Sequence, residues 1–505
     1  MALSELQEQD SQRTRGSLHP SLYQVNTRVL LRELSGSLGR PATLDDIPDR
    51  ALDVWAATGF EWLWLLSVWQ TGLAGQAISR ASRDWRRAFK EVLPDLRDAD
   101  IAGSGFAISS YTVHRSLGGP AALARLRNRM RQRGLRLMLD FVPNHTAVDH
   151  RWVAQRPNYY ISGTERSLAE KPDNYARIRR KGGDLVLAHG RDPNFPGWPD
   201  TLQLNYSKPA LRDAMTKELE KVAHQCDGVR CDMAMLLLPE VFERTWNIQT
   251  EPFWPKAIER IRARCPNFCF MAEVYWDLEW ALLQQGFDYV YDKRLYDRLR
   301  AGRAQPVRQH LHAGLDYQSK LVRFIENHDE RRAAAAFPPG MHQAAAVIAY
   351  LSPGLRFLHQ GQLDGQKIQI PPHLVRGPKE PVDDALRQFY ESLLGAVRRP
   401  ALHGLWRLLE CTPAWDGNWT WEGCIVWCWE THDREHVLIT VNYADHQSQC
   451  YIRLPWPELA GGTATLRDLL SPARYDRDGT ELITRGLYLD LPPWGHHVFD
   501  VNALP

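Results

Sequence analysis

A chain of 505 residues, 44% of them hydrophobic, is long enough for two or three domains and a large core. Its 62 Lys and Arg against 60 Asp and Glu leave a formal charge of +2, which argues against nucleic acid or any other polyanionic partner. There is no run of roughly 18 apolar residues, so no membrane span is expected. The N-terminus lacks an apolar core of signal-peptide length, and the eight cysteines read as buried thiols, so the expected location is cytoplasmic.

In chain order, residues 1–20 are polar enough for a loose tail. Short apolar, β-branched or aromatic runs then recur at 22–27, 62–67, 136–142, 227–233, 267–274, 287–291, 321–327 and 354–360. Helix-period stretches such as 211–225 and 255–264 lie between them, punctuated by Pro or Gly. Alternating strands and helices predict a parallel sheet with helices outside it, and eight strands are what a closed barrel needs. The Arg-dense run 124–136 has no interleaved aromatics and is expected to be a solvated helix face.

Spacing locates an insertion. Asp232 and Glu273 are 41 residues apart, one strand-helix unit, whereas Asp140 and Asp232 are 92 apart. The surplus predicts a small irregular domain at 146–205, inserted after the third strand over the active face, with the barrel at 21–145 and 206–400. After Pro400 the pattern becomes short alternating strands broken by Gly, Pro and Asp, which predicts a C-terminal antiparallel β-sandwich over 401–505.

Four strand ends carry polar residues: DFVPNH (Asp140 to His145), GVRCD (Gly228 to Asp232), AEVYW (Ala272 to Trp276) and ENHD (Glu326 to Asp329). Breaking an acetal requires a proton on the leaving oxygen and a negative partner for the anomeric carbon, hence two carboxyl groups in opposite protonation states. Arg230 stands two residues before Asp232, on the same side of a strand, and would hold that carboxylate ionised as a nucleophile. Glu273 follows the apolar FCFMA, where its pKa should rise towards that of a working acid. Asn327, His328 and Asp329 form a cluster able to grip sugar hydroxyls and steady an oxocarbenium charge, with His145 and Asp140 on a neighbouring strand.

These segments, DFVPNH, GVRCDMAM, AEV and FIENHD, resemble the four signature regions of the α-amylase family, retaining glycoside hydrolases and transglycosylases on a (β/α)₈ barrel. The resemblance implies Asp232 as nucleophile, Glu273 as acid/base and Asp329 as transition-state stabiliser, with Arg230, His145 and His328 around the reacting sugar and Tyr111 of GFAISSY stacking beneath it. It also implies an α-linked oligosaccharide or disaccharide as substrate. The alternative class is a non-catalytic carbohydrate-binding or scaffolding protein on the same fold. Hydrolysis and glycosyl transfer both remain open, as does the oligomeric state.

Several positions depart from the family pattern. Met235 and Leu236 stand where many α-amylases have a Lys-His pair, and Ala107 and Ser110 replace the two aspartates of the GYDIxDY common in α-glucosidases. Gln362 ends GLRFLHQGQ in place of an acid, and Gln203 in LQLN replaces an aspartate common in calcium-binding members. Asn144 alone does not make a calcium site, and the step from His145 to His150 matches no metal motif. A metal-free site with no required cofactor is therefore expected, with a structural calcium ion at Asn144 left open but unsupported.

Overall fold

The computed structural model describes residues 18–179 and 183–504; most of the polar tail expected at 1–20 lies outside the described residues. Eight parallel strands close a barrel: β1 (Ser21–Asn26), β2 (Trp62–Leu66), β3 (Arg136–Phe141), β4 (Gly228–Cys231), β5 (Cys269–Ala272), β6 (Tyr289–Tyr291), β7 (Leu321–Arg323) and β8 (Leu355–His359). Each strand pairs with its neighbours in sequence, and β1 closes on β8 with Ser21 opposite Arg356. All eight begin within the expected runs or one residue before them. Continuous apolar runs such as Trp62–Leu66 are buried at every position, as strands covered on both faces require.

Helices α1 (Thr27–Leu38), α2 (Leu73–Ala81), α3 (Arg83–Val92), α4 (Gly119–Arg131), α5 (Pro209–Ala223), α6 (Trp254–Arg262), α7 (Met341–Leu351) and α8 (Asp384–Val397) are among those connecting the strands. The Arg-dense run lies on α4 and just beyond it, and its arginines have acidic partners. Arg125, Arg129 and Arg133 pair with Asp45, Asp49 and Asp53, two series with the same four-residue spacing, while Arg127 and Arg131 share Asp227.

After β3 the chain makes an excursion in which His145–Ala147 pairs antiparallel with Thr201–Gln203, and a hairpin joins Tyr175–Ile178 to Leu185–Ala188. Two further excursions leave the barrel. One follows β2 and carries α2 and α3; the other, 360–383, follows β8. They are tied together by a bridge between Ile101 and Leu374 and by Arg376 on Asp100.

Beyond the barrel lie β9 (Leu405–Leu409), β10 (Cys411–Pro413), β11 (Cys424–Glu430), β12 (His436–Asn442), β13 (Ser448–Ile452), β14 (Thr463–Asp468), β15 (Arg474–Asp478), β16 (Leu487–Leu491) and β17 (His496–Leu504). They form a six-stranded sheet, β9-β11-β12-β17-β14-β15, and a three-stranded sheet, β10-β13-β16. A separate apolar cluster that includes Val426, Leu438, Cys450, Leu489 and Phe499 fills the space between the sheets. The larger sheet is anchored to the barrel by Trp427 and Trp429, whose indole N–H groups both donate to the Leu351 carbonyl at the end of α7. The eight cysteines are free thiols, with Cys265 and Cys411 only partly buried. Among the described residues no helix is long and apolar enough to cross a membrane.

Candidate active site

The C-terminal ends of β3, β4, β5 and β7 converge on one guanidinium. Arg230, 1% exposed on β4, places Nη1 2.6 Å from Asp232 Oδ1 and Nη2 2.8 Å from Glu273 Oε1. The same group lies 3.7 Å from Asp140 Oδ1 and 3.8 Å from Asp329 Oδ2. Period-2 alternation puts Arg230 and Asp232 on one side, and the parallel pairing of β4 with β5 brings Glu273 alongside. Trp64 and Phe106 stack on the guanidinium, each 5.3 Å from it, and help to exclude water from the hub.

Backbone strain marks the same face. Non-glycine residues with positive φ occur at Ser67, Met233, Trp276 and Asp277, in the turns just beyond β2, β4 and β5. At Met233 (φ 43°) the consequence is visible, because its N–H points at the cleft and donates to Glu273 Oε2 at 2.6 Å. The Tyr275 hydroxyl donates to Glu273 Oε1 at 2.9 Å.

Four carboxyl groups around one cation cannot all be stabilised as anions. Burial pushes the Glu273 carboxyl up to about 7; Arg230 opposes this, and the charges of Asp232 and Asp329 add to it. Burial also raises Asp232, to about 6, and Arg230 opposes it. Asp329 goes the other way. Burial acts against its ionisation, but His328, whose Nε2 lies 2.9 Å from Oδ2, and Arg230 hold it below the usual range.

Asp232, Glu273 and Asp329 line a cleft of ≈ 260 Å³ together with His145, Phe106 and Trp198. His145 is neutral at physiological pH, since burial lowers its pKa to about 4. Arg230 and His328 act on the cleft through the carboxylates they hold. Three other expected substrate contacts lie elsewhere. Tyr111 does not lie under the cleft, for its hydroxyl is buried against the Val142 backbone, donating to the carbonyl and accepting from the N–H, both at 2.9 Å. Asp140 is 2% exposed beneath Arg230. Asn327 turns its side-chain oxygen to the Asp329 and Glu330 N–H groups, both at 2.9 Å, and so shapes the loop that presents Asp329.

Sequence reasoning missed Phe106, which takes the place assigned to Tyr111: it lines the cleft and stacks on His328 with centroids 5.4 Å apart. The signal was present as the first aromatic of GFAISSY. It also missed Asp200, Tyr275, Trp85 and His373 in the cleft wall. The last two come from the excursions after β2 and β8 and pack ring to ring at 4.6 Å. Among the tryptophans, Trp198 lines the cleft, Trp254 is core, and Trp276 and Trp280 are exposed outside the cleft lining.

The residues at the calcium-like position do not form a cation site. Gln203 Nε2 donates to Asn144 Oδ1 at 2.9 Å and to the Asn144 carbonyl at 3.0 Å, while Asn144 Nδ2 donates back to Gln203 Oε1 at 3.2 Å. Among the described residues no group of three or more His, Cys, Asp or Glu is arranged to hold a metal.

The profile of the alpha-amylase catalytic domain matches residues 95–285, a span that includes Asp140, His145, Arg230, Asp232 and Glu273. This part of the chain resembles the catalytic domain of the α-amylase family. It is 23% identical over 309 residues to alpha-amylase 3 of Dictyoglomus thermophilum, covering 56% of this chain and 58% of that one. It is 40% identical over 159 residues to an alpha-glucosidase of Apis mellifera, covering 28% and 27% of the two chains. The chain thus spans little more than half the length of the first of these curated relatives. The maltogenic alpha-amylase AmyB of Thermotoga neapolitana has the same fold, with a TM-score of 0.66 over 97% of this chain and 99% of that one, at 15% identity.

The departures from the family pattern have structural counterparts. Met235 and Leu236 are buried in a short 3₁₀ turn, so apolar packing replaces a polar grip. Ala107 is 1% exposed and lies against α2 at Gly75. Gln362 is held below the cleft by the hydroxyls of Tyr350 and Tyr390, at 2.7 and 3.0 Å.

Proposed function

We propose that this protein is a retaining α-glycoside hydrolase or transglycosylase acting on α-glucosidic oligosaccharides or disaccharides. The observation that carries the reading is the Arg230 hub, where one cation serves Asp232 and Glu273 together and leaves Glu273 the weaker acid of the two. Carboxyls sharing adjacent nitrogens of one guanidinium suit the short spacing of retaining enzymes, about 5 to 5.5 Å, better than the wider spacing that admits a water between them. Relatives named as α-amylases and an α-glucosidase support α-glucosidic substrates.

In the first step an Asp232 carboxylate oxygen attacks the anomeric carbon, and the bond to the leaving oxygen breaks as Glu273 gives that oxygen its proton. Asp329, kept anionic by His328, faces the oxocarbenium charge that develops. Esterification removes the negative charge of Asp232, one of the causes that raise the Glu273 pKa, so Glu273 stays ionised and free to act as the base of the second step. It then takes a proton from water or a sugar hydroxyl, that oxygen attacks the anomeric carbon, and Asp232 is released. Segment 146–205 acts as the inserted domain, its Trp198, Asp200 and Thr201 edge, beside His145 of the barrel, setting what enters.

The test uses Glu273→Gln with α-glucosyl fluoride, whose leaving group needs no proton. A glycosyl ester on Asp232 should accumulate and be found by peptide mass spectrometry; turnover of this variant at the wild-type rate would sink the assignment. Product analysis with maltose, maltooligosaccharides, sucrose, trehalose and isomaltose then separates hydrolysis, seen as glucose alone, from transfer, seen as new oligosaccharides.

A further inference from the structure

A second cavity, of ≈ 320 Å³, lies behind the segment 102–106, between α1, the start of α2 and residues 114–117. Its polar lining includes Arg28, Arg32, Ser35, Thr71, His114 and Ser116, and no carboxylate lines it. Arg28, Arg32 and Ser35 fall at i, i+4 and i+7 of α1 and therefore on one face.

Arg28 is the unusual member. It is 8% exposed, and its guanidinium donates to the Gly103 carbonyl at 2.7 Å and to Thr71 Oγ1 at 3.3 Å. A guanidinium carries five N–H donors, so three remain without a protein acceptor among the described residues. No carboxylate pairs with it there either, and burial alone depresses its pKa, to about 10. Other buried arginines are compensated: Arg230 by Asp232 and Glu273, Arg323 by Asp292, Arg332 by Glu326. Arg356 has no carboxylate but satisfies itself on the carbonyls of Tyr350, His19 and Leu402. Arg28 alone of these lines the cavity. A buried charge is ordinarily paired, and no charged partner for Arg28 is present among the described residues.

The structure assigns to this cavity a binding site for an oxyanion, specifically phosphate or a small phosphate monoester. Arg28 offers a planar fork suited to two oxygens, and Arg32 adds a second positive charge from the same helix face, which favours a doubly charged ligand over a carboxylate. Leu31, Pro41, Ala42, Leu117 and Val375 form an apolar wall that suits the carbon part of an ester. The cavity shares a wall with the cleft: Gly103 is the acceptor of Arg28, and Ser104 and Phe106 line the cleft.

The experiment is calorimetric titration of the whole chain at constant ionic strength with inorganic phosphate, with glycerol 3-phosphate, and with glycerol as the neutral control. Saturable one-site binding of either anion, without binding of glycerol, is expected. It should weaken about tenfold or more in Arg32→Gln and vanish in Arg28→Gln. Tighter binding of the ester identifies a phosphorylated metabolite as the source; equal binding identifies free phosphate. Arg32 is exposed, so its variant carries the test even where Arg28→Gln fails to fold. Absence of saturable binding by the wild type, or unchanged affinity in Arg32→Gln, overturns the assignment, and neither result depends on glycosidase turnover.

Discussion

Two buried acid-arginine clusters sit beyond neighbouring barrel strands and behave in opposite ways. Past β6, Asp292 meets Arg323, His310 Nε2 at 2.9 Å and the Leu295 N–H at 3.0 Å. Burial pushes its pKa up, but His310 and Arg323 outweigh burial and hold the carboxyl well below the usual range. Around Arg230 the ratio is inverted, with one cation among four carboxyls, and there burial wins at Asp232 and Glu273. Asp232, Glu273 and Asp292 are all buried, so burial does not separate a structural ion pair from a site with titratable chemistry. The ratio of cations to carboxyls does.

The comparison breaks most easily through activity. Asp232→Asn should reduce kcat/KM about ten-thousandfold while leaving the melting temperature nearly unchanged, since one buried charge in a crowded anionic site is removed. Asp292→Asn should do the converse. It leaves Arg323 buried without its carboxylate and should lower stability by about 3 to 5 kcal/mol in denaturant unfolding, with kcat of the folded fraction retained. Equal effects of the two substitutions on activity would mean that the clusters do not differ in kind.

Titration sharpens the contrast. Turnover needs Asp232 ionised and Glu273 protonated, so kcat/KM should follow a narrow bell with limbs near 6 and 7, both belonging to the coupled pair. Stability should show the reverse bias. Carboxyls raised in the folded state bind protons more tightly than in the unfolded chain, where they titrate near 4, so the Arg230 cluster costs stability as pH rises from about 4 to about 7. Asp292 is lowered in the folded state, and its contribution, present above pH 4, is lost as pH falls further. Melting curves of Asp292→Asn should therefore lose part of the acid-side drop, and a drop identical to that of the wild type would count against its structural role.

Much of this site could be read from the chain because strand periodicity and strand order are local signals. Eight apolar runs gave the barrel, and period-2 spacing placed Arg230 on Asp232. Longer-range geometry was not legible. Whether Tyr111 or Phe106 faces the cleft depends on how the hairpin between Trp69–Thr71 and Ile108–Val113 turns, and that hairpin has register shifts at Trp69, Gln70 and Thr71. Trp85 and His373 reach the cleft only because two loops from opposite ends of the barrel sequence meet at Ile101 and Leu374. No local pattern announces such a pairing. The balance between burial and Arg230 at Asp232 likewise depends on how many carboxyls crowd one cation, which a spacing argument does not count.

Asp200 gives the smallest and most specific prediction. It lines the cleft at 3% exposure, its Oδ2 has no hydrogen-bond partner among the described residues, and burial raises its pKa to about 6. A carboxylate in that condition destabilises the folded chain above pH 6 unless a ligand donates to it. Asp200→Asn should thus raise stability by about 2 kcal/mol at pH 7.5 and by nothing at about pH 2, where the wild-type group is protonated in both states. The same substitution should raise KM several-fold with little change in kcat, as expected for a lost charge-assisted hydrogen bond from a sugar hydroxyl made equally in ground and transition states. A gain in stability without a change in KM would leave Asp200 as a strained wall residue; a fall in stability would mean that its carboxylate has a structural partner, as Asp292 does.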